Sequence, residues 1–234
     1  MDSEIRTARD ASVGAWLSAL GEATGSPGGG AAAGVMLAIA ASLTSMVAGY
    51  TEPSDEQRDG LGALRERARM RARVALQLAD DDAEASDGFG AAFRLPPGRE
   101  RDAAVERASV AAARTSAVVG ERAGEGIADL EWLAEHGNPA LVSDIAVACG
   151  ALRAAIAGAR TNVSFDLASL TSTGRTHDDV RGEHPQLWSA VERFTSDLAR
   201  LDALEAALDP RAAPTEAAGE GEDGEGDLSR PSAR

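Results

Sequence analysis

ATGSPGGGAAAGVMLAIAASLTSMVAGYT, residues 23–51, contains no charged residue. It is long enough to suggest a membrane span. Ser26-Pro27-Gly28-Gly29-Gly30 stands near its start, much of the rest is Ala, Gly, Ser and Thr, and no Lys or Arg cluster flanks it. These features argue against a span. A helix apolar all round is otherwise the buried central helix of a bundle. Ser26 can cap it, with Pro27 at its first position, and it should run to about Ala48.

The remaining periodicities are helical too. Residues 8–20 place Val13, Trp16, Leu17 and Leu20 on one face. A long helix spans about 60–93, with a stripe through Leu64, Ala68, Ala75, Leu78, Ala85, Phe89 and Ala92, and Leu95-Pro96-Pro97-Gly98 ends it. Residues 100–135 give one helix or a pair broken near Gly124–Gly126. Asn138-Pro139 starts another helix that reaches about Leu167, with Leu141, Ile145, Ala148, Leu152, Ile156 and Ala159 as its core stripe. Residues 171–183 read as a polar loop, and 184–208 as a last helix. The expectation is an all-α bundle of five to six helices with long central helices over residues 1–208. A disordered acidic tail should follow over 209–234.

Composition narrows the function. Apolar residues make up 44% and aromatic residues 3% of 234, and alanine dominates, which favours helix over sheet. Every basic side chain is arginine. Without lysine there is no Schiff base for pyridoxal phosphate and no Walker A loop. A net charge of -15 disfavours nucleic-acid binding. The single cysteine, Cys149, precludes an intrachain disulfide or a multi-cysteine zinc site. The N-terminus carries no secretory core, so a cytoplasmic protein is expected.

Four groups of residues can carry chemistry. Glycines 28–30 at a helix start expose N–H groups that suit an anion or a flat ring, or else make a tight turn and a close helix crossing. Asp82 lies in line with the apolar stripe and suits a general acid or base. It equally suits a solvated cluster with Asp80 and Asp81. Ser143-Asp144 sits early in the Asn138-capped helix, where Asp144 suits either a ligand or the helix dipole. Asn162 lies eighteen residues beyond Asp144, about 27 Å along the helix, so the two cannot serve one small site in a single subunit. The arginines at 65, 67, 69, 71 and 73 read as solvated partners of Glu66 and other acids, or as a grip on a polyanionic tail. His136, His177 and His184 lack metal spacing.

Taken in order, WLSALGEATGSPGGGAAAG (16–34), SLTSMVAGYT (42–51), DDAEASDGFGAAFRLP (81–96) and GNPALVSDIAVACGALRAAIAGARTNV (137–163) resemble one known family. It comprises the cyclodeaminase domain of formiminotransferase-cyclodeaminase and stand-alone methenyltetrahydrofolate cyclohydrolases. The resemblance implies an all-helical homodimer that binds reduced folate near the dimer interface, with no permanently bound cofactor and no metal. It implies that Ser26, Pro27, Gly28, Gly29, Gly30, Asp82, Ser143, Asp144 and Asn162 line or support the site; the expectation is that Asp144 is the acid–base group, with Asp82 as its orienter or a second acid, and that the others bind substrate. Two positions depart from the family pattern. Asp166 stands where a second asparagine usually follows Asn-Val, and Pro97 stands where a lysine often follows Leu-Pro. With no formiminotransferase segment in the sequence, the expected reaction is hydrolysis of 5,10-methenyltetrahydrofolate to 10-formyltetrahydrofolate. Cyclodeamination of formiminotetrahydrofolate and a non-catalytic folate-binding or scaffold dimer are the alternatives.

Overall fold

The structure is a computed structural model that describes residues 7–23, 25–171 and 175–212. Among these, eight α-helices and no strand occur: α1 (Val13–Leu20), α2 (Gly29–Gly49), α3 (Arg58–Phe93), α4 (Arg99–Gly124), α5 (Ile127–His136), α6 (Val142–Thr171), α7 (His177–Glu183) and α8 (Pro185–Ala212). A 3₁₀ turn, Pro139–Leu141, leads into α6.

The charge-free segment forms the centre of the bundle. α2 packs most extensively against α3 and α6, and α6 also packs against α4 and α8. Small residues set these distances. A Cβ at Gly34 would lie 2.9 Å from the Cβ of Ala79, and one at Gly158 would lie 3.2 Å from the Cβ of Ala33. α2 therefore approaches both neighbours more closely than larger side chains allow. Leu37 and Val47 of α2, Ile145, Leu152, Ile156 and Leu170 of α6, and Phe194, Leu201 and Leu208 of α8 are fully buried around it. α2, and the stretch Pro139–Thr171, are long and apolar enough to cross a membrane by length and composition. In this fold α2 is a core helix.

Several boundaries differ from the sequence expectation. α2 starts at Gly29, not after Ser26: its N-cap is Gly28, extended at φ -125° and without a side-chain cap, whose carbonyl accepts the Ala32 N–H. α1 starts only at Val13, because the Ser12 side chain accepts the Ala15 N–H and fixes the start there. Of its proposed apolar face only Trp16 is buried, against Ala31 and Ala79; Val13 and Leu17 are exposed. The stretch read as a polar loop contains α7, whose capping box pairs Thr176 with Asp179. The break at Gly124–Gly126 does separate α4 from α5. Asn138 caps the turn before α6: its Oδ1 accepts the Ala140 N–H, and its side-chain amide donates to the Tyr50 carbonyl at 3.1 Å. The boundary expected at 208 falls inside α8, which continues to Ala212. The acidic tail from 213 lies outside the described residues.

Candidate active site

The three aspartates of α3 face three ways, as a 100° step per residue requires. Asp80 accepts the Ala8 N–H at 2.5 Å. Asp81 is exposed and accepts from the Gln77 amide at 2.7 Å. Asp82 continues the buried stripe of Leu64, Ala68, Ala75 and Leu78 and is itself 5% exposed.

Asp82 closes the start of α2. The first N–H groups of a helix have no partner within it. Gly28 supplies no side-chain cap, and the Asp82 carboxylate accepts the Ala31 N–H instead. Gly30 makes this possible, since a Cβ there would overlap the Asp82 carboxyl. The Ser116 hydroxyl of α4 donates to Asp82 Oδ1 at 3.4 Å, and Ser86 donates from one turn along α3. Burial pushes the Asp82 carboxyl above its ordinary range, and these three donors partly offset it.

Asp82 faces a cleft of about 350 Å³ enclosed by α2, α3, α4 and α6. Gly25, Gly29 and Gly30 form one wall, and Ser86, Phe89 and Gly90 a second. Ala112 and Ser116 come from α4; Asn162, Phe165 and Asp166 come from α6. The volume suits a small organic ligand. Phe89 and the exposed Phe165 offer ring faces at its edge. Asp166 is 8% exposed. Burial, and then the neighbouring charge of Asp82, push its carboxyl up to about 7.

The sequence candidates thus divide. Gly29, Gly30, Asp82 and Asn162 meet in one cleft. Ser26, Pro27 and Gly28 form the turn that leads to it but do not line it. Ser143 and Asp144 lie in the first turn of α6, Ser143 exposed and Asp144 half-buried, and neither lines the cleft. Helix rise alone puts Asp144 about 27 Å from Asn162. Asp144 therefore does not join Asp82 within one protomer. Asp166 does join it, although the sequence marked that residue only as a departure from a pattern. Phe165, Ser86 and Ser116 were also missed. A signal existed for Asp166, one helical turn beyond Asn162 on α6, and for Ser86, one turn beyond Asp82 on α3; none existed for Ser116 on α4.

The arginine row has a different use. Arg71 is buried and donates to Asp129 at 3.0 Å and to the Glu125 carbonyl, while Arg67 binds the same carboxylate at 2.6 Å. Arg69 and Arg73 pair with Glu66. Asp129 of α5 is 4% exposed, so this cluster fastens α3 to α5. Among the described residues no group of three or more His, Cys, Asp or Glu is placed to hold a metal ion.

The all-helical bundle thus carries a cleft in which two buried carboxyl groups meet the start of its central helix. Residues 12–181 match the family model described as formiminotransferase-cyclodeaminase, and the chain belongs to that family. It is similar to formimidoyltransferase-cyclodeaminase of Gallus gallus (28% identity over 168 residues, 68% of this chain) and of Rattus norvegicus (31% over 171 residues, 69%). The matched stretch spans 31% of each of those proteins. The fold is that of formiminotetrahydrofolate cyclodeaminase from Thermotoga maritima, with a TM-score of 0.72 over 87% of this chain and 96% of that one at 21% identity.

Proposed function

We propose that the chain is a formiminotetrahydrofolate cyclodeaminase, which closes the 5,10-methenyl ring and releases ammonia. The observation that carries this reading is Asp82, buried on the cleft wall with its charged form held by the Ala31 N–H, Ser116 and Ser86. In the reaction N10 of the folate attacks the formimino carbon and must lose its proton. A carboxylate fixed beside the reacting atoms can accept it. The cleft suits the reacting end of a folate, with Phe89 and Phe165 positioned to flank a flat ring and Asn162 to bond its polar edge. The proposed chemistry is acid–base throughout and needs no cofactor.

This reading differs from the hydrolysis expected from the sequence. The names of the relatives favour cyclodeamination. Apolar side chains left exposed on α2 and α6, Met36, Ile39, Val147 and Phe165, support a homodimer in which a second copy covers them.

The purified chain should be given formiminotetrahydrofolate and, separately, 5,10-methenyltetrahydrofolate. The expected result is rapid appearance of methenyl absorbance from the first, with a greater loss in Asp82→Asn than in Asp144→Asn. Accelerated loss of the second compound, without activity on the first, would make it a cyclohydrolase. Binding of folate without turnover of either would make it a binding protein. Light scattering should give twice the mass of one chain.

A further inference from the structure

We propose that Asp166 selects the substrate by its charge: with Asp82 it makes the cleft a site for a delocalised cation, so that amidinium groups are held and their neutral formyl counterparts are refused. The proposal rests on the cyclodeaminase reading above and names the form of the substrate that this cleft takes. It makes Asp166 a specificity-determining residue, neither acid nor base of the reaction. The asparagine of the family pattern at this position would then alter selection without removing the chemistry.

The basis is the set of partners around two carboxyl groups. α3 and α6 bring Asp82 and Asp166, each more than nine-tenths buried, to the wall of one cleft. Asp82 receives the Ala31 N–H and the hydroxyls of Ser116 and Ser86. The Asp166 carboxyl receives no hydrogen bond and no ion pair among the described residues. A buried carboxylate without donors is costly unless a cation meets it. The wall supplies none: among the described lining residues there is no arginine or histidine, and the chain has no lysine. The surrounding elements leave this balance as it is. α2 carries no charged residue. On α3, Asp80 and Asp81 are engaged elsewhere, Glu84 and Asp87 are exposed, and the exposed Arg94 lies beside Gly90 at the rim. On α4, Arg107 and Arg114 are exposed and Glu106 pairs with Arg175; Arg160 of α6 donates to Thr195 of α8. The positive charge must arrive with the ligand.

An amidinium meets these demands. It spreads one positive charge over a flat N–C–N unit, and its terminal N–H groups donate to carboxylate oxygens. Phe89 and Phe165 add ring faces, which attract cations. The protonated formimino group is an amidinium, and the methenyl product carries the same N–C–N cation. A 5-formyl group has nearly the same shape, with an oxygen in place of the terminal nitrogen and no charge. Burial pushes the Asp166 carboxyl up to about 7, and an entering cation takes the place of its proton. Affinity for the cation therefore strengthens as pH rises through that value.

The test uses the full chain and its Asp166→Asn variant, reading KM and kcat for formiminotetrahydrofolate and the inhibition constant of 5-formyltetrahydrofolate. The wild type should favour the formimino compound by on the order of tenfold. In the variant KM should rise by about that factor while the inhibition constant stays or falls, so the preference disappears through KM and not through kcat. The wild-type preference should widen as pH rises through about 7, and the variant's should not. The same preference in both proteins, or a loss confined to kcat, would overturn the proposal. Formamidinium and formamide, each titrated against the backbone amide NMR signals of Asn162 and Phe165, separate it from the assigned reaction. Shifts with formamidinium that are absent with formamide and lost in Asp166→Asn would uphold the cation site even in a chain without cyclodeaminase activity. The failure would then lie with the reaction. Equal shifts with both probes, or none with either, would overturn the proposal.

Discussion

Asp82 and Gly30 depend on each other. The carboxyl occupies the space that a Cβ on residue 30 would take, and it caps a helix that has no cap of its own. Gly30→Ala should therefore push Asp82 out of register and lower kcat about as much as Asp82→Asn, with helicity by circular dichroism unchanged. Ser116→Ala removes a donor that stabilises the charged carboxylate. The Asp82 carboxyl should rise further, and the acidic limb of the rate profile should move to higher pH. Much of this was legible in sequence: glycines at a helix start, and a carboxylate in step with an apolar stripe. That Asp82 and not Asp144 faces this cleft was not legible, because the sequence could not say which end of a thirty-residue helix meets the α2 start. Asp166 was hidden for a similar reason. A carboxylate on a helix face has no special meaning until the carboxyl opposite it is known.

Within single elements, periodicity served best where helices are long. α2, α3, α6 and α8 were each recognisable from stripes or from an uncharged run, because burial on one side imposes the 3.6-residue repeat. Short elements were less readable. α1 buries Trp16 and packs Leu20 beside it, whereas Val13 and Leu17 of the same apparent face are exposed. α7 is held by a capping box and Val180, and a seven-residue helix leaves too few turns to establish a period. The arginine row shows the same limit, since alternation along α3 did not reveal that Arg71 faces inward to Asp129. Asp129→Ala would strand the Arg71 guanidinium among buried atoms and should destabilise the fold by roughly 3–5 kcal/mol. The double replacement Arg71→Met with Asp129→Leu should recover most of that loss in a urea melt, because neither charge is then left unpaired.

For the molecule as a whole, burial of Asp166 makes stability depend on pH. Burial pushes the Asp166 carboxyl up to about 7 when folded, whereas an unfolded aspartate releases its proton near the ordinary 3.8. Between those two values the folded state holds more protons, so its stability falls as pH rises and levels off above about 7. Asp166→Asn keeps the shape without the charge. The variant should match the wild type near pH 4 and exceed it at pH 8 by on the order of a few kcal/mol, measured by denaturant unfolding.

Ammonia release from formiminotetrahydrofolate, followed in the same cuvette as methenyl absorbance for the wild type and for Asp82→Asn, decides whether this cleft does the chemistry assigned to it. Ammonia and methenyltetrahydrofolate should appear in equal amounts with the wild type, and the rate should drop by roughly 10²- to 10⁴-fold with Asp82→Asn. Equal rates from both proteins, or no ammonia from either, would contradict the assignment of the cleft and of Asp82.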